Sequence, residues 1–575
     1  MPEKETLDSW KEIARYLHRT EKTCRIWEIN FGLPVHRLDG SPKARVFAYV
    51  EEIDRWKEEK LREGESHRET PQLKKFFIPG AAFVFGLKKT TAFAGLLCLF
   101  ILTGLAMIFF IRGRGQAFDS IAVLPLENLS QDQEQEFFSD GMHDRLIAEL
   151  SKIKAIKIIS RTSVMGYKNT KKRIPEIANE LGVKAIVEGT TVRSGNIVRI
   201  NVQLIDGRSD KNLWADSFDR EYRDVLNLQS ETALAIAKRI RASLTPEETK
   251  VLKRPRSINP EAYEAYLKGM FLLGRANEPG NVRKGIQYFE KANIIDPNFA
   301  LGYAGLALAY TFETTGGQQT KIAMSNAKRA ALKALSLDES LGDARALLAN
   351  IKATYEWDWE GADKEFRLAL ELSPNFAWAH LFYAFLLCSQ HRNKEAISHA
   401  ERALELDPFS STTVFNVVAL YANVRQYDKA MALIQENLRL FPNELGLHFW
   451  LSWIYYFKGM AKELVDEYQK WIELGNSPNS LVSIYISALF IDKSRTQEAL
   501  KKYILERNEM QAYDPFYIAL IFALIKENDK AFEWLDKCYE QKYPMLFIIS
   551  VAPQFENLHG DRRFAVLLKK MGLKK

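Results

Sequence analysis

The chain has 575 residues, 47% hydrophobic and 12% aromatic, which excludes a largely disordered protein and allows three or four domains with cores of their own. Its 80 basic and 73 acidic residues leave a net charge of +7, too evenly spread to mark the whole chain as a nucleic-acid binder, so any basic footprint must be local. The four cysteines, Cys24, Cys98, Cys388 and Cys538, form no CxxC pair and no zinc spacing, and point to neither a disulfide framework nor a structural metal.

Trp10 to Leu17 (WKEIARYL) sets Trp10, Ile13, Ala14 and Leu17 at helical spacing, with Asp8 or Ser9 able to cap its start. His18-Arg19-Thr20 makes a short turn, and EKTCRIWE follows with Cys24, Trp27 and Phe31 as a buried stripe. Two short helices joined so tightly make a helix-turn-helix. LPVHRL and RVFAYV, separated by a turn at Asp39-Gly40-Ser41-Pro42, predict a two-stranded wing. A third helix over Val50 to Lys60 offers Ile53 and Trp56 to the same core. Residues 1–60 balance 12 basic against 12 acidic side chains, but Lys11 to Arg45 holds 8 against 4, which gathers positive charge on the second helix and wing.

In that order, WKEIARYL, TCRIWE, LPVHRL and RVFAY resemble the MerR-type winged helix-turn-helix domains, over residues 1–62. The resemblance implies double-stranded DNA as a partner. Lys22, Thr23 and Arg25 would be base or backbone contacts in the major groove, and Arg37, Lys43 and Arg45 wing contacts. One position departs from the pattern: His18 stands where the turn usually has Gly, and His tolerates positive φ less well.

Residues 63–89 read as a linker. Thr90 to Ile111 then runs for 22 residues without a charged side chain. As a helix it would reach about 33 Å, the length of a single membrane span. Lys74, Lys75, Lys88 and Lys89 precede it and only Arg112 and Arg114 follow closely, which predicts a cytoplasmic amino terminus. Phe76 to Leu87, shorter and interrupted by Pro79, suits the interface better than a crossing.

Residues 118–248 alternate strand-like and helix-like patterns and predict a small α/β domain. Ile121 to Leu124 and Ile156 to Ser160 read as strands, Ser139 to Leu150 and Ile174 to Leu181 as helices. Lys184 to Val192 and Ile197 to Ile205 read as a hairpin about Gly195, and Leu226 to Ile240 as a closing amphipathic helix. His143 and Asp144 are adjacent on a helix and point in different directions, so they are expected on a solvated face and not as an acid/base pair. Ser160, Thr162 and Ser163 are expected as caps. The stretches IAVLPLENLS, FFSDGMHDRL, IISRTS, ELGVKAIVEGT, VRINVQLID and LWADSFDR resemble the TolB amino-terminal-like domains of bacterial envelope proteins, which implies a binding or assembly module.

Residues 258–575 repeat. Asp296-Pro297, Ser373-Pro374, Asp407-Pro408, Phe441-Pro442, Ser477-Pro478 and Asp514-Pro515 are expected to close helical pairs, and Pro374, Pro408 and Pro442 stand 34 residues apart. That is the tetratricopeptide period, and the segment resembles that family. Small and large partners recur where packed helices need them: Phe289 and Ala292; Ala362, Phe366 and Ala369; Ala396 and Ala403; Tyr421 and Ala430. Stacked pairs form an all-α superhelix whose concave face is expected to bind a protein or peptide partner. Trp357, Trp359, Trp378, Trp453 and Trp471 are expected mostly in the core, and Pro544 to Leu573 as a C-terminal cap.

The order of parts resembles the membrane-anchored one-component transcription regulators of the CadC and ToxR class. It implies DNA binding from the bacterial inner membrane, with the carboxyl-terminal domains periplasmic; half-sites about 34 Å apart for two recognition helices point besides to a homodimer. GxxxxGK[ST], HExxH and GxSxG motifs are absent, so the chain is expected to be no enzyme and to need no cofactor or metal. The alternative is an envelope scaffold or adaptor that does not bind DNA.

Overall fold

The computed structural model describes residues 6–17, 33–37, 46–65, 118–129, 136–240, 242–276, 278–313, 317–490, 493–508 and 514–573, with Glu21, Cys24 and Glu28 singly. The chain divides into two compact units, residues 1–108 and 109–575.

In the first unit, β1 (Thr6–Leu7), α1 (Trp10–Tyr16), β2 (His36–Arg37), β3 (Val46–Tyr49) and α2 (Val50–Glu65) follow one another. Ser9 caps α1 by accepting from Glu12 N, and the Glu12 carboxylate accepts from Asp8 N at 2.8 Å, closing the start of the helix from both sides. The two strands β2 and β3 pair antiparallel, His36 opposite Phe47 and Arg37 opposite Val46. A third strand, β1, adds to the other edge of β3. Ile13, Ala14, Cys24, Leu33, Ala48 and Ile53 make the core, with Trp10 and Trp56 packed against it.

Among the described residues no helix is long and apolar enough to cross a membrane. The longest, Gly317–Leu337, has 21 residues but carries Lys321, Lys328, Arg329 and Lys333. That finding overturns the single-pass inner-membrane placement, with its cytoplasmic amino terminus and periplasmic carboxyl-terminal domains. The expected span, 90–111, lies outside the described residues.

The second unit opens with an α/β layer: β4 (Ser120–Val123), β5 (Glu127–Asn128), α3 (Glu136–Leu150), β6 (Lys157–Ile158), α4 (Arg161–Met165), α5 (Ile174–Leu181), β7 (Ala185–Ser194), β8 (Ile197–Asp206), β9 (Asn212–Glu221), α6 (Val225–Arg239) and α7 (Pro246–Leu252). The sheet runs β6-β4-β7-β8-β9, parallel around β4 and antiparallel beyond β7, with β5 also paired to β7. The expected hairpin turns on Gly195-Asn196, with Gly195 at φ +59°. Ser160 is the cap expected of it, accepting from Ser163 N. β9 and α4 escape the pattern reading. In β9 Leu213, Trp214 and Phe218 pack against the core, Trp214 and Phe218 opposite Leu204 and Ile200, and the rest of this edge strand is polar or exposed, so it shows little alternation.

Eight helix pairs follow among the described residues: 260–273 with 281–295, 300–312 with 317–337, 342–351 with 359–372, 377–389 with 393–406, 411–423 with 427–440, 445–457 with 461–473, 481–487 with 493–508, and 515–524 with 528–540. They make a tetratricopeptide-like superhelix, and the expected small and large partners sit in its core, Phe289, Phe366, Ala369, Ala403 and Ala430 at 0% exposure. The second pair is longer because its second helix is longer. Asp514-Pro515 does not close a pair: Asp514 caps the helix that begins at Pro515, accepting from Phe516 and Tyr517 N, because Pro at a first helical position lacks only an N–H that would go unused.

Candidate functional site

Of the residues expected to meet DNA, Lys22, Thr23, Arg25, Lys43 and Arg45 lie outside the described residues. Arg37 is on β2, with its guanidinium forked onto the Glu28 carboxylate at 2.5 and 3.0 Å. That hydrogen-bonded carboxylate raises the pKa of Arg37 against a smaller cost of burial. In this arrangement Arg37 ties β2 to Glu28.

In the second unit the chemistry gathers where the α/β layer meets the repeats. α3 crosses the first repeat helix so closely that a Cβ on Gly141 would fall 2.4 Å from Leu267 Cδ2, so glycine permits the approach. On the same helix, Glu149 is 1% exposed and accepts from Lys152 Nζ at 2.8 Å, Arg256 Nη1 at 2.9 Å, Arg145 Nη2 at 3.3 Å and Ser230 Oγ at 3.3 Å. Burial alone pushes this carboxyl up, but the three cations outweigh it and hold it well below the usual carboxylate range. Nearby, Gln229 donates to Tyr263 Oη at 3.0 Å, tying α6 to the first repeat.

His143 and Asp144 do not lie on a solvated face. His143 is fully buried, its Nε2 bonded to Val123 O at 2.9 Å, and burial lowers its pKa to about 4. Burial raises the pKa of the Asp144 carboxyl. Packing of α3 against both the sheet and the repeats leaves that helix without a free face, which local spacing does not reveal.

A second set of contacts runs along the turns between repeat pairs. Asn375 N donates to Ser151 O at 3.2 Å and Asn375 Nδ2 to Ile153 O at 2.9 Å. Ser160 N donates to Leu406 O at 2.7 Å. Asp407, fully buried, accepts from Ser160 Oγ, from Ser163 Oγ at 2.6 Å and from Thr413 Oγ1 at 2.8 Å. Arg254 reaches Asp338 at 2.8 Å at the turn before the third pair. Ser160 thus both caps and docks, whereas Thr162 and Ser163, expected as caps, lie within α4: Thr162 is exposed, and Ser163 docks the α/β layer on the repeats, accepting as well from Phe409 N at 3.0 Å.

The turns are themselves braced by a motif that recurs two repeats apart. His380 Nε2 donates to Pro374 O at 3.1 Å and its Nδ1 meets His399 Nδ1 at 2.8 Å. His448 Nε2 donates to Pro442 O at 2.8 Å, while Nδ1 meets Glu467.

The cap expected at Pro544 to Leu573 folds back over the ends of first helices and the turns that join them to the second ones. Phe547 packs on Phe385 at 6.4 Å, Ser550 Oγ donates to Ser389 O at 3.2 Å, Arg425 Nη1 to Val551 O at 2.6 Å, and Trp359 Nε1 to Met571 O at 2.8 Å. Trp357, Trp453 and Trp471 are buried, and Trp359 and Trp378 partly so. Cys388 and Cys538 are buried free thiols, and among the described residues no group of side chains is arranged to hold a metal.

Residues 116–235, the α/β layer as far as α6, match the family described as HilA/YgeH-like transcriptional regulator, second domain. Over 189 residues the chain is 33% identical to "Putative adenylate cyclase 3" of Rhizobium meliloti (strain 1021), covering 33% of this chain and 32% of that one. Over 177 residues it is 24% identical to "Interferon-induced protein with tetratricopeptide repeats 2" of Mus musculus, covering 31% and 35%. The chain therefore spans about a third of the length of the curated relatives it matches. It is also similar to the solved tetratricopeptide repeat protein of Parabacteroides merdae ATCC 43184, at 16% identity and TM-score 0.34 over 47% of this chain and 100% of that one. For pilF of Pseudomonas aeruginosa the values are 22% and 0.29, over 37% and 92%. The first relative bears an enzyme's name, which corrects the expectation that the chain is no enzyme.

Proposed function

We propose that this chain is a transcription regulator whose amino-terminal module binds duplex DNA while its α/β layer and repeats receive a protein partner. The observation that carries this reading is the match of residues 116–235 to the second domain of a transcriptional regulator family, which follows in the chain a small module of short strands and helices. In this reading Lys22, Thr23 and Arg25 contact bases or backbone, Lys43 and Arg45 contact phosphates from the wing, and Arg37 orders the wing through Glu28. The likenesses to MerR-type and TolB amino-terminal domains belong to the same proposal, as does a homodimer that presents two recognition helices to two half-sites.

The pairing of Arg37 with Glu28 favours a second reading, a repeat scaffold without DNA binding, because it removes one expected phosphate contact. Titration of the full chain on duplex DNA at rising salt separates the two. The regulator reading expects log K to fall with log salt by about 0.9 for each phosphate neutralised, and Arg45→Ala to reduce that slope. Binding that ignores salt and sequence would sink it in favour of the scaffold.

A further inference from the structure

The turns between repeat pairs share one register, and the α/β layer covers part of the row. Leu406 and Asp407, after the fourth pair, are both at 0% exposure beneath it. At the same positions after the fifth pair stand Leu440 and Phe441, 57% and 43% exposed, and Leu445 in the place of Ser411 is 38% exposed. Where other turns carry Asp296, Ser373 or Asp407, this one carries phenylalanine. An apolar cluster continuing a row of docking turns, just past the part that is covered, marks an interface.

The turn is held in shape from beneath. His448 bonds Pro442 O, and Gly446 lies so close to Phe415 that a Cβ there would fall 2.8 Å from its ring. Its flanking charges are opposite and symmetrically placed, Arg439 and Glu444 standing about the Phe441-Pro442 bond. In an isologous contact residue i meets j and j meets i, so a two-fold axis passing between the Phe441-Pro442 bonds of two copies would bring Arg439 of each to Glu444 of the other.

We propose that this turn is the pairing surface between two copies of the chain, with Leu440, Phe441 and Leu445 packed across the two-fold axis and Arg439 and Glu444 exchanged at its rim. The use of such a dimer, spacing two DNA-binding modules, rests on the regulator reading; the surface itself does not.

Sedimentation equilibrium of the full chain without DNA tests it. The unaltered chain is expected to pass from monomer to dimer with concentration. Phe441→Asp, which installs the residue of the neighbouring turn and so keeps the fold, is expected to weaken pairing by about tenfold or more. Arg439→Glu is expected to weaken it too, and Arg439→Glu with Glu444→Arg to restore it. A chain that stays monomeric at every concentration, a Phe441→Asp protein that pairs as before, or a double exchange that restores nothing would each overturn the proposal. A chain that pairs at this turn but ignores duplex DNA would uphold the surface and defeat the regulator reading instead.

Discussion

Ser163, on the α/β layer, donates its hydroxyl to Asp407 at 2.6 Å across 244 residues of chain, and Asp407 is fully buried. A carboxylate in that setting is tolerated because three hydroxyls satisfy it. The α/β layer and the repeats are therefore one packed body joined by polar contacts at the turns.

Asp407→Ala should strand those hydroxyls and cost about 2–4 kcal/mol. Urea unfolding with and without the substitution measures it, and limited proteolysis should find the segment around Ser160 opened first. Unchanged stability would mean that the docking rests on the apolar contacts alone.

Glu149→Gln should cost about 3–5 kcal/mol, because three buried cations lose their common counter-charge. The carboxyl's pKa is depressed in the folded chain, so its contribution is fully present above the ordinary carboxylate range near pH 4.3 and is lost as pH falls below it. The variant should therefore show a flatter loss of stability in acid than the unaltered chain, measured by denaturant midpoints from pH 7 to 3.

The two bracing histidines should titrate in opposite directions. Burial holds His380 down to about 4, with His399 and Arg402 adding to it, so its neutral form stabilises the fold and that contribution is lost as pH falls from 6.5 towards 4. Arg392, Arg367 and Glu395 also act on its partner His399. For His448 burial is outweighed by Glu467 and the Pro442 carbonyl, its pKa is raised, and its contribution is present below 6.5 and lost as pH rises through the raised value. Proton chemical shifts of the imidazoles against pH should separate them, and Glu467→Gln should bring His448 down. Coincident midpoints near 6.5 would contradict both assignments.

Phe555→Ala should cost about 3–5 kcal/mol, as its ring is fully buried against Phe516 at 5.4 Å. If the carboxyl-terminal segment were instead a loosely held plug, the substitution would leave the thermal midpoint in place.

Gly141→Ala should loosen the packing of α3 on the first repeat, since the methyl would meet Leu267. Leu267→Ala in the same chain should relieve part of the loss, a coupling that a double-mutant cycle would read as non-additivity.

Much of the fold is legible without coordinates, because local periodicity carries it. Prolines 34 residues apart mark the repeats, the pattern about Gly195 marks the hairpin, and Ser9 and Ser160 mark helix starts, each by a rule acting over a few residues. The packing between those elements is not local. Nothing near His143 in the sequence shows that its helix is covered on both sides, and nothing near Asp407 shows that its partners lie at Ser160 and Ser163. The same limit governs Phe441 and Leu406, which look alike as apolar residues at repeat turns, while one is exposed and the other buried. Among the described residues the sequence alone determined most of the helices, the hairpin and the repeats, with β1, β9 and α4 the exceptions, since backbone propensity and spacing act over a few residues. Only the tertiary structure decided which charges are paired, which turns are covered and where the C-terminal segment packs, because those depend on contacts between residues up to hundreds of positions apart.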